Sequence, residues 1–174
     1  MPHKILKPDF HERHVSQGAI ESLAAPVGRI ITAWSFVDQN VDIWIREVFH
    51  LETGSGAKRP GKALADRIKY LKKSQRRLKI SPAAAEIADS LIKRIEAAAS
   101  VRHALAHWAL THFSEQSEKG EGAAIFTKLS YDPLGDPVVE EVMYTVQMLR
   151  DQADEMIKLA FILQKINASL MVSR

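Results

Sequence analysis

Cysteine is absent from these 174 residues, which excludes disulfides, thiolate metal sites and cysteine nucleophiles together. No run of about eighteen apolar residues occurs, so a membrane-crossing helix is not expected. Glycine and proline number only 8 and 7, too few for a fibrous or low-complexity chain. The loop-like stretch Glu52–Gly61 has neither the spacing nor the preceding strand of a phosphate loop. Dinucleotide fingerprints, internal repeats and serine-nucleophile patterns are also missing. Met1 to His14 is polar, with Pro2 and Pro8, and does not read as a secretory leader. A cytoplasmic protein without membrane association is the expectation.

Apolar residues make up 46% of the chain, enough for one sizeable core at this length. The formal charge of +3 is mild, but its distribution is uneven. Between Lys58 and Lys79 ten basic residues are opposed only by Asp66, and the remainder is net acidic. Within that block Lys69, Lys72, Lys73, Arg76 and Arg77 are candidates for tracking a nucleic-acid backbone. The plainer alternative is a solvated helix face.

Hydrophobic spacing divides the chain into elements. Residues 1–17 lack periodicity and read as an N-terminal arm. A short helix over 20–25 precedes Pro26, a residue suited to a first helical turn. From Pro26 to Leu51, Val27, Ile30, Trp34, Val37, Val41, Trp44 and Val48 recur at helical steps. Phe36 and Ile43 form a smaller apolar line outside that stripe, which suggests contact with another surface. A second helix is expected over 62–76 and a third from Pro82 to about Ala109, capped by Ser81. Strands are expected over 109–113, 123–131 and 138–144. Gly120 and Gly122 mark one turn, and Asp132–Pro137 marks the other. A last helix starts with Thr145 as its cap.

The third helix ends in Val101-Arg102-His103-Ala104-Leu105-Ala106-His107-Trp108. At ~100° per residue Arg102 falls roughly 20° from Leu91, inside the apolar stripe. A desolvated arginine requires a carboxylate, a phosphate or water. Asp38 occupies the comparable position in the first helix, so the wheel pairs Asp38 with Arg102. His103 and His107, four apart, share a separate face with Glu96 and Ser100.

This order, an amphipathic helix, a basic second helix and a third ending in an arginine, a polar residue, three variable residues and a histidine, resembles the HEPN superfamily of helical nucleotide-binding and RNase domains. The motif reads Arg102-His103-Ala104-Leu105-Ala106-His107. The likeness covers residues 26–108 and the final helix. It implies a mainly α fold: a four- or five-helix bundle spanning 18–174, with 109–144 a strand-containing insertion (a small antiparallel hairpin or meander) before the last helix. It further implies a homodimer acting as a metal-independent, toxin-type endoribonuclease with no cofactor, with RNA as substrate and an antitoxin protein as partner. His107 would be general acid or base, Arg102 would hold the phosphate, and His103 would position substrate or partner. The face carrying Ala99, His103, Ala106 and Leu110 is then expected at a two-fold interface.

Other readings of the same residues stay open. Asp38 and Arg102 form a purely structural ion pair in one, and His107 is a hydrogen-bonded, half-buried histidine beside Trp108. In another, His103 and His107 chelate a metal with Glu96, although no third ligand is plainly placed and no His-Glu-x-x-His motif is present. In the last, the chain is a non-catalytic dimeric module that binds nucleic acid or protein.

Overall fold

A computed structural model describes residues 15–52, 58–114 and 122–172. The chain is mainly helical, with a small antiparallel sheet before its last helix. Four helices, α1 (Gln17–Leu51), α2 (Leu64–Arg77), α3 (Pro82–His107) and α4 (Val146–Val172), account for most of it. Strands β1 (Ala109–Ser114), β2 (Ala123–Tyr131) and β3 (Pro137–Thr145) form the sheet in the order β1-β2-β3. The expected arm lies outside the described residues over 1–14, as do residues 53–57 of the first loop and the Gly120 turn, and Gln17 already belongs to α1.

The helix starts follow the side chains that cap them. Ser81 Oγ accepts from the Ala84 amide at 3.2 Å with Pro82 in the first turn, and Thr145 Oγ1 accepts from Met148 at 3.1 Å. Pro26 departs from expectation: it opens no new helix but lies inside α1. A proline there removes one backbone hydrogen bond. Apolar burial continues through it, however, with Ala19, Leu23, Pro26 and Ile30 on one buried line, and Ser16 Oγ caps the new start at Ala19. Burial outweighs the lost bond.

Two compact units divide the chain, one from residues 1–32 and 99–154, the other from 33–98 and 155–174. The first holds the sheet. Ala124, Phe126 and Tyr144 are buried there, as are Leu23 and Ile30 of α1, Leu105 of α3 and Leu149 of α4. β1 and β2 slip register between Leu110 and His112. The intervening Thr111 turns its hydroxyl to Thr127 Oγ1 at 2.7 Å, so the bulge keeps its polar group partnered. Between β2 and β3, Asp132 Oδ1 accepts from the Leu134 and Asp136 amides while Gly135 takes φ 88°, a left-handed geometry that favours glycine.

The second unit contains no strand among its described residues and is built from helices. Its core includes Val37 and Val41 of α1, Ile68 and Leu71 of α2, Ile92 and Ile95 of α3, and Met156, Leu159 and Leu163 of α4. Phe161 of α4 is 60% exposed, whereas Leu159 lies in the core. A broad apolar helix face offers more candidates than the core can bury. No helix among the described residues is long and apolar enough to cross a membrane.

Candidate functional site

The last turns of α3 carry the motif. Helical spacing buries Ala104 and Leu105 and leaves His103 and His107 exposed on a shared face. Their rings lie 4.7 Å apart between centroids, tilted by 48°. Arg102 is half-buried and turns along the helix, placing Nη1 3.3 Å from His107 Nε2. Arginine has donors only, so this contact is a hydrogen bond only while Nε2 carries no proton. Arg102 Nε is buried without a hydrogen-bond partner among the described residues. The sequence thus brings Arg102, His103 and His107 together within one and a half turns.

Immediately beyond, the Trp108 amide closes on Ala104 O at 2.9 Å and ends the helix. Lys128 of β2 sits with Nζ 5.9 Å from the Trp108 ring centre and 3.4 Å from Glu140 Oε2. A second cation therefore stands beside the motif's tryptophan. Nothing in the spacing of β2 singled out Lys128, because strand alternation specifies a face but not what lies opposite it.

Asp38, expected to pair with Arg102, is engaged by a different arginine. Asp38 Oδ1 accepts from Arg67 Nη2 at 2.6 Å, and Arg67 Nη1 donates to Asp42 Oδ1 at 2.6 Å. The helical wheel located a charge that needed a partner, yet it could not identify which helix would supply it. Arg67 belongs to the basic block between Lys58 and Lys79, whose plainer reading is a solvated helix face. It is in fact buried, and its carboxylate partners hold its pKa above the usual value although burial alone would lower it.

A second cluster, around the buried Glu52, ties the end of α1 to α2. Arg77 donates to Glu52 from Nε at 2.6 Å and from Nη2 at 2.9 Å, and Tyr70 Oη donates to the same carboxylate. Burial would raise the Glu52 pKa, but the bonds from Arg77 and Tyr70 and the charge of Arg77 hold it below the ordinary range. Burial and the bond to Glu52 push the Tyr70 hydroxyl up. Arg77, expected to meet phosphate, is thus engaged by a carboxylate and by Ser74 Oγ at 3.0 Å.

The other basic residues of α2 line a groove of about 330 Å³. Lys69, Lys72, Lys73 and Arg76 surround it with Ala65, Ile68 and Glu96. Lys72 Nζ is 3.2 Å from Glu96 Oε1, with both side chains about half exposed, so the pair is screened and weak. Glu96 consequently faces Lys72 rather than completing a histidine metal site. Among the described residues, no group of three or more histidines or carboxylates is placed to hold a metal. Compared with known protein families, characterised proteins and solved structures, the chain matches none.

Proposed function

We propose that the chain is an RNA-directed protein of HEPN type, a homodimeric, metal-independent endoribonuclease. The observation that carries this reading is the Arg102–His107 contact at an exposed helix end, with His103 alongside. The contact requires a bare Nε2, the form in which an imidazole can accept a proton. In the proposed reaction Arg102 shifts from the imidazole to the scissile phosphate. His107 Nε2 takes the 2′-hydroxyl proton as O2′ attacks phosphorus. The bond from phosphorus to O5′ breaks, and the departing oxygen takes a proton from an imidazolium, His103 or the motif of the second copy. A 2′,3′-cyclic phosphate and a 5′-hydroxyl result.

Lys69, Lys72, Lys73 and Arg76 would hold the strand by its phosphates, while the exposed His103 face and Phe36, 52% exposed, would meet the second copy. An antitoxin protein would cover the same motif. The test is to incubate the purified chain with mixed RNA and excess chelator. Fragments ending in cyclic phosphate, made by wild type and absent with His107→Ala, are the expected result. RNA bound with strong salt dependence but never cut would reduce the reading to the non-catalytic binding module.

A further inference from the structure

Two clefts meet at Gln75 of α2. The first is an apolar cavity of about 260 Å³, walled by Trp44 and Val48 of α1, Leu71 of α2, Ala88 and Leu91 of α3 and Leu170 of α4. Leu51 and Ile87, 43% and 60% exposed, border it on the solvent side. Its polar lining residues, Ser74 and Gln75, are already engaged. Ser74 Oγ donates to Tyr70 O and accepts from Arg77, and Gln75 Nε2 donates to Asp89 Oδ1 at 3.0 Å. The rest of the lining is apolar, so water gains little by entering such a space. The second cleft, about 310 Å³, is lined by Lys72, Gln75, Arg76, Asp89 and Lys93. Lys72 is paired with Glu96, which leaves Arg76 and Lys93 beside Asp89, a carboxylate that already accepts from Gln75.

An apolar cavity adjoining a cationic cleft is complementary to a molecule with an apolar tail and an anionic head. We propose that this paired site binds a medium-chain fatty acid, with the alkyl chain in the cavity and the carboxylate between Arg76 and Lys93. An apolar cavity of about 150 Å³ takes up benzene; in proportion, this one has room for about ten carbons. The proposal shares Lys72 and Arg76 with the RNA reading but uses neither His103 nor His107, so its test does not depend on cleavage.

Trp44 lines the cavity and reports occupancy. Decanoate added to the full chain should change tryptophan fluorescence saturably, and Trp44→Phe should remove the signal. Affinity should rise about fourfold per added methylene from hexanoate upward and level off near ten carbons. Lys93→Glu should weaken decanoate by roughly threefold or more and leave decanol unchanged. Ala84→Trp, an exposed lining position that leaves the core intact, should block both ligands while preserving the helical circular dichroism. Equal binding of decanoate and decyltrimethylammonium would overturn the anionic head. Absence of saturable binding would overturn the site, as would affinity that keeps rising past fourteen carbons, or a dimer that Ala84→Trp dissociates without any ligand effect.

Discussion

Lys79 occupies a position where the end of a helix favours glycine. Its φ is 50°, and the Lys79 and Ile80 amides close back on Arg76 O and Gln75 O, the bonding of a Schellman cap. A β-carbon in that conformation is strained, so Lys79→Gly should stabilise the chain by about 0.5–1 kcal/mol in urea denaturation. Glu52 gives a prediction with a pH sign. Its pKa is lower folded than the ordinary 4.5, so its stabilising share is complete above that value and is lost as pH falls through the lower folded one. Glu52→Gln should therefore flatten the acid limb of a stability–pH curve measured by thermal melting. At the motif, His107→Ala should lower cleavage by about 10²–10⁴-fold with fold and RNA affinity retained. These single-residue features differed in how legible they were. The Arg102–His107 spacing was visible as a helical i, i+5 pattern. The strain at Lys79 was not, because lysine carries no sign of a left-handed backbone.

Between elements, α1 and α2 are joined by two arginine–carboxylate clusters, Arg67 with Asp38 and Asp42, and Arg77 with Glu52. Periodicity identified both helices and placed Asp38 correctly as a charge in an apolar stripe. It failed on Arg67, because a block of like charges reads as one solvated face although a single member can turn inward. Asp38 is partly exposed and Asp42 remains on the same guanidinium, so Asp38→Ala should cost about 1–2 kcal/mol by chemical denaturation. A fully buried pair would cost about 3–5 kcal/mol. A loss below measurement error would mean that Asp42 alone holds Arg67. Along the basic groove of α2, Lys69→Glu and Lys73→Glu should weaken RNA binding and reduce the slope of log K against log salt by roughly 0.7 per lost phosphate contact. Filter binding across a salt series reads this directly.

At the scale of the molecule, the element order, the three strands and the caps at Ser81 and Thr145 were all readable from the sequence, since each rests on local spacing or one side chain. Continuity of α1 through Pro26 was not, because it depends on burial supplied by distant elements. Nor could spacing reveal the cavity beside Trp44 or the neighbourhood of Trp108, each assembled from separate stretches of chain. The sheet has one further implication. Its order leaves β1 and β3 each paired on one side only among the described residues. β1 is short and bulged, which discourages a further strand. β3 is regular over nine residues, with Pro137 at its start and Glu140 and Glu141 set among Val138, Val139, Val142 and Met143. Those two carboxylates are gatekeepers against intermolecular stacking: a chain carrying valine at both positions would offer an uninterrupted sticky edge, and its yield in soluble form, rather than its melting temperature, would register the change.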